Sequence, residues 1–91
     1  MNTIRCSLAV LALIASFPAI ASEPQCTKED KSKWQDPTKF QERLKAEGYE
    51  IKKFKVTSGN CYEIYGWNSK KQKVEIYFDP VTGKAIKTEI E

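Results

Sequence analysis

Gly59-Asn60-Cys61-Tyr62-Glu63-Ile64-Tyr65-Gly66-Trp67, followed by Lys73-Val74-Glu75-Ile76-Tyr77-Phe78-Asp79-Pro80-Val81-Thr82-Gly83-Lys84, decides the fold. Both runs are rich in aromatic and β-branched residues and are bounded by turn residues, which is the pattern of neighbouring antiparallel strands. Successive strand side chains point to opposite faces. Tyr62, Ile64 and Gly66 therefore oppose Cys61, Glu63, Tyr65 and Trp67, and Val74, Ile76 and Phe78 oppose Lys73, Glu75, Tyr77 and Asp79. Asn68 to Lys71 supplies the turn between them. Asp79-Pro80-Val81-Thr82-Gly83 is a second turn: Asp79 caps its amides, Pro80 presets φ, and Gly83 takes the left-handed position. Lys84 to Ile90 closes the sheet, with Ile86 and Ile90 on one side.

Working upstream, Ser58-Gly59-Asn60 is a turn, and Tyr49 to Val56 is a further strand. Tyr49 and Ile51 share one parity and Phe54 and Val56 the other, so the slip at Lys52-Lys53 predicts a bulge or bend. A helix precedes it. Asp36 is a good N-cap, Pro37 suits the first helical position, and Gly48 suits the left-handed residue after the end. Phe40 and Leu44, four apart, share its apolar face, and Trp34 is placed to fold back onto Phe40. The expected fold is α+β: one N-terminal helix packed on a four-stranded antiparallel β-meander, with one disulfide. The helix covers the Ile64/Val74/Ile76/Phe78 face.

The start of the chain reads as an export signal. Arg5 gives a positive segment, Leu8 to Ala15 an apolar one, and Ala19-Ile20-Ala21 a cleavage site, so residues 1–21 are expected to be removed and Ser22 to become the N-terminus. Cys6 lies before the apolar run, which argues against lipid attachment. Residues 22–35 then form an N-terminal arm and 36–91 the domain. A chain this small buries only about 60% of its unfolded surface, so a covalent staple helps. Cys26 and Cys61 are the pair left after Cys6, and in an oxidising compartment they form a structural disulfide. A redox dithiol needs close spacing, and these cysteines stand 35 positions apart. The expected location is periplasmic or secreted, with no stable membrane insertion after signal removal.

The whole sequence has 15 Lys+Arg against 12 Asp+Glu, a net charge of +3, and no histidine. Basic residues are spread over all segments, so they describe a solvated surface rather than a nucleic-acid footprint, and no nucleic-acid partner is expected. Clusters at Lys52-Lys53-Lys55 and Lys70-Lys71-Lys73 suit solubility or contact with an anionic surface. Lacking histidine, the chain cannot build Ser/His or Cys/His triads, His-based zinc sites or His-ligated haem. Glu63 and Glu75 fall on one sheet face, but an open face of Lys and Tyr offers little desolvation for acid–base work. Calcium binding through Asp79 or Glu75 lacks a dense set of oxygen ligands. No cofactor, metal or catalytic residue is expected, and an enzyme is the least favoured class.

The best candidate surface is the outer sheet face: Tyr65, Trp67 and Tyr77, flanked by Glu63, Glu75 and Lys87. With the helix on the other face these aromatics are expected to be partly exposed, and Tyr and Trp are the residue types that anchor interfaces. The competing reading is a cross-strand Tyr65–Tyr77 pair beneath the disulfide-tied arm, with Cys26 and Trp34 drawn to that face because Cys61 shares its parity. The final strand offers a further mode, edge pairing with a partner strand.

The ordered set now extends from Trp34 through Leu44-x-x-x-Gly48-Tyr49-x-Ile51, Lys55-Val56 and Gly59-x-Cys61-Tyr62-Glu63-Ile64-Tyr65 to Val74-Glu75-Ile76-Tyr77-x-Asp79-Pro80-x-Thr82-Gly83. It resembles the PepSY domain family (peptidase propeptide and YpeB-like domain), in its short secreted single-domain branch, over residues 26–91. The resemblance implies a non-enzymatic binding or regulatory module, since such domains occur in propeptides of secreted metallopeptidases and in envelope proteins. With no peptidase domain attached, action in trans on a protein partner in the envelope or medium, a secreted peptidase among the candidates, is the expectation. A small-molecule or metal-responsive envelope sensor is the alternative. A monomer is expected.

Overall fold

The computed structural model describes residues 23–91; the expected signal peptide, residues 1–21, and the mature start at Ser22 lie outside the described residues. A single 3-10 turn at Lys31–Lys33 leads to the helix α1 (Pro37–Ala46). Four strands follow: β1 (Glu50–Val56), β2 (Tyr62–Trp67), β3 (Lys73–Phe78) and β4 (Ala85–Ile90). They form one antiparallel sheet in the order β1-β2-β3-β4, each strand pairing with its neighbour in sequence.

The helix is not N-terminal, which corrects the expected architecture. An ordered arm runs ahead of it, held by bonds that a short polar segment does not advertise. Cys26 and Cys61 are joined in a disulfide, and the Cys26 amide donates to the Gly59 carbonyl at 2.9 Å. Asn60 Nδ2 donates to the Thr27 carbonyl at 3.2 Å. At the other end, the Gln35 amide donates to Pro80 O at 2.9 Å and its Nε2 to Val81 O at 3.1 Å, while its Oε1 accepts from Arg43 Nη1 at 2.8 Å. The arm thus bridges the β1–β2 turn, the β3–β4 turn and α1.

Local chemistry sets the helix ends. Asp36 accepts from the Lys39 amide at 2.9 Å and Pro37 opens the helix, so the missing proline N–H costs nothing there. Gly48 stops it with φ 102°. Phe40 and Leu44 are buried against Tyr62, Ile64, Val74, Ile76 and Phe78, with Trp34, Tyr49, Ile51 and Phe54 packed around them. Tyr62 sits at the centre. Its ring lies 5.1 Å from both Phe40 and Phe54 and meets Trp34 edge-on at 5.6 Å, while its hydroxyl donates to Gln35 O at 2.6 Å. Trp34 therefore joins Phe40 through Tyr62, on the helix side of the sheet. This follows the reading of Trp34 as folding back toward Phe40 and corrects the competing one, in which Cys61 draws it to the outer face: the arm crosses from the disulfide to the opposite face before α1 begins.

The parity slip in β1 is a bulge. Ile51 pairs with Gly66 and Lys53 with Tyr65, leaving Lys52 as the extra residue. This brings both Ile51 and Phe54 to the core despite their odd spacing. A Cβ on Gly66 would overlap the Glu50 carbonyl, so the bulge and the glycine require each other. A second slip, between Tyr77 and Phe78, leaves Ile86 as the extra residue of β4. In the β3–β4 turn, Asp79 Oδ1 accepts from the amides of Val81 (2.8 Å) and Thr82 (3.3 Å), and Gly83 takes φ 80°.

Candidate functional site

Pairing across the four strands lays the outer face out in rows. Lys55, Glu63, Tyr77 and Lys87 form one; Lys53, Tyr65, Glu75 and Glu89 form the next; Trp67 and Lys73 begin a third. All six candidate residues read from the sequence are brought together on this face, although they are not equally accessible. Tyr65 and Trp67 are partly exposed, as are Glu75 and Lys87. Tyr77 is only 6% exposed and Glu63 is at 0%, so the expectation that Tyr65, Trp67 and Tyr77 are all partly exposed is corrected for Tyr77. Glu63 stands between Lys55 and Tyr77 on its neighbouring strands and between the buried Cys61 and Tyr65 along its own, which leaves water no approach.

Neither oxygen of Glu63 accepts a hydrogen bond among the described residues, and Lys55 Nζ stops 3.7 Å from its Oε1. An ionised Glu63 is poorly compensated, so burial pushes its carboxyl above its ordinary range. The Glu75 carboxyl is held below its ordinary range, first by Glu63 and further by the tyrosines beside it. Tyr77 Oη donates to Glu75 Oε2 at 2.9 Å. The carboxylates beside Tyr65, Glu63 foremost, raise its hydroxyl well above the ordinary range, and burial followed by Glu75 does the same to Tyr77. Two carboxyls with separated affinities are the raw material of acid–base catalysis. Here the member with the raised affinity, Glu63, is buried at 0% exposure, which keeps it from direct contact with a substrate.

The accessible half lies one row down. A groove of about 450 Å³ opens beside Tyr65 and Trp67, bordered by Lys52, Lys53 and Lys73, with Glu91 at its end. Lys53 Nζ lies 5.9 Å from the centre of the Tyr65 ring. None of these three lysines has a carboxylate within 4 Å among the described residues. The sequence reading assigned them to separate surface clusters. Their convergence rests on the β1 bulge, which sets Lys53 opposite Tyr65, and on the β2–β3 register, which sets Lys73 opposite Trp67. The alternating pattern of β3 contained the second of these signals; the first required the bulge to be placed to the residue.

A second, shallower groove of about 290 Å³ lies on the helix side, beside Trp34, Pro37, Val56 and Tyr62. Among the described residues no group of three or more His, Cys, Asp or Glu is placed to hold a metal ion, and no helix is long and apolar enough to cross a membrane.

Comparison with curated proteins and with solved structures returned no match to this chain. Residues 5–89, however, match the family model described as peptidase propeptide and YPEB domain, and the chain belongs to that family, PepSY_2.

Proposed function

We propose that this chain is a non-enzymatic binding or regulatory module of the cell envelope that engages a protein partner, a secreted peptidase among the candidates, through the groove beside Tyr65 and Trp67. PepSY domains are generally non-catalytic propeptide or regulatory modules, and typically extracellular or envelope-associated. The Cys26–Cys61 disulfide fits an oxidising compartment.

The observation that carries the reading is the pairing of two half-exposed aromatics with three uncommitted lysines. Tyr and Trp bury large rigid area at low entropic cost, and the lysine rim steers an acidic segment into place.

The test is affinity capture from envelope extract with the purified protein, followed by titration of the captured partner. Y65A/W67A is expected to lose capture while melting as the parent does. Equal capture by the double variant overturns the assignment of the surface. Titration against secreted metallopeptidases separates the peptidase reading from binding in general: no slowing at micromolar concentration removes the peptidase.

A further inference from the structure

The sheet has two edges, and only one is guarded. β1 presents Lys52, Lys53 and Lys55 and carries its bulge at mid-strand, devices that discourage a foreign strand. β4 is different. The helix packs against the other side of the sheet, over β1 to β3, and leaves Ile86 and Ile90 at 43% and 56% exposure. No described element lies along the outer edge of β4.

The backbone of that edge is set to pair. The Glu91 amide donates to Lys73 O at 2.9 Å, which makes Lys73–Glu91 a hydrogen-bonded pair. Such pairs alternate along an antiparallel ladder, so Glu75–Glu89 and Tyr77–Lys87 are hydrogen-bonded as well. The N–H and C=O groups of Thr88 and Ile90 therefore point away from β3, toward whatever lies beyond the edge.

The side-chain order of β4 specifies an occupant. We propose that two copies of this chain pair through β4, antiparallel about a two-fold axis at Thr88, forming one continuous eight-stranded sheet. In this register Thr88 meets Thr88 of the second copy as a hydrogen-bonded pair. Lys87 faces Glu89 of the second copy on the outer side, twice over, and Ile90 approaches the bulge residue Ile86 at each end of the seam. Sliding the second strand by two residues in either direction preserves the backbone bonds but sets Lys87 against Lys87 or Glu89 against Glu89. Charge thus selects the central register. Glu89 gains most: within its own copy it stands across from Glu75, a like charge, with only Lys87 Nζ at 3.4 Å to offset it. The second copy's Lys87 brings a further cation to it.

A two-fold axis perpendicular to the sheet leaves both Tyr65/Trp67 grooves on the same side. The dimer is accordingly bivalent, although its formation does not depend on what those grooves bind.

Sedimentation velocity of the purified protein tests this, with K87E, E89K, the double swap K87E/E89K, and an equimolar mixture of the two single variants. The parent is expected to associate with concentration to a dimer and no further. Each single swap turns two attractive pairs into repulsive ones and is expected to weaken association by roughly tenfold or more. The double swap and the mixture restore opposite charges in every pair and are expected to recover it, while thermal melts of dilute samples verify that each variant is folded. A parent that stays monomeric up to millimolar concentration overturns the proposal. So does a single variant that dimerises as tightly as the parent, or a mixture that fails to recover.

Discussion

Glu63 lies directly across from Tyr77 in the two central strands, and both side chains are buried on the face of the sheet opposite the helix. A carboxyl in that position is a cost when ionised and a contribution when protonated. Because its folded-state affinity for a proton is raised, its stabilising effect is complete below the ordinary carboxylate range and is lost as pH rises through the raised value. Glu75 acts with the opposite sign: its effect is present above the ordinary range and is lost as pH falls through its lowered value. Glu63→Gln keeps the size and shape of the side chain and removes the ionisation. It is expected to stabilise the protein at neutral pH by about 1 kcal/mol, a rise in Tm of roughly 4–8 °C. The gain should vanish toward acid pH. Melting curves of both proteins across the carboxylate range and up to neutral pH measure it, and a variant uniformly less stable would contradict the cost assigned to burying the Glu63 charge.

The disulfide closes a segment with a sequence separation of 35 residues in a domain with one small core. Replacing both cysteines with Ala is expected to cost about 4 kcal/mol in the chain-entropy account, seen as a large drop in the denaturant midpoint. Because Cys26 also donates to Gly59 O, limited proteolysis should then cut first within residues 23–35, ahead of the strands.

Gly66→Ala tests the link between the β1 bulge and the groove. The added methyl meets the Glu50 carbonyl, which is backbone and cannot swing aside. A loss of about 1–3 kcal/mol is expected. Gly83→Ala is the comparison, since there the nearest atoms belong to the side chains of Arg43 and Gln35, and the cost comes chiefly from φ 80°. Urea denaturation of the two variants separates them: only Gly66→Ala should also change amide shifts at Lys52 and Lys53.

Much of this architecture is legible in the chain because local rules act there without competition. The alternation in β2 and β3, Asp36-Pro37, Gly48 and the Asp79-to-Gly83 turn each carry a local stereochemical reason that survives folding. The parity slip at Lys52-Lys53 announces the bulge. The arm was less readable, because its position rests on backbone carbonyls at Gly59, Pro80 and Val81 and on the side chain of Gln35, none of which leaves a periodic mark. That is why the sequence places the helix at the N-terminus, and why Trp34 is read both as folding back onto Phe40, which it does through Tyr62, and as drawn to the outer face. The burial of Glu63 was hidden for a related reason: it depends on what flanks it on adjacent strands, whereas alternation reports only which face a residue occupies.

The most direct test of the central claim is a residue-resolved map of partner contact. Titrating the captured partner into 15N-labelled protein is expected to perturb Lys52, Lys53, Tyr65, Trp67 and Lys73, with the Trp67 indole N–H shifting strongly and Trp34 unmoved. Perturbation centred instead on Trp34, Pro37 and Val56, with Tyr65 and Trp67 silent, would contradict the account.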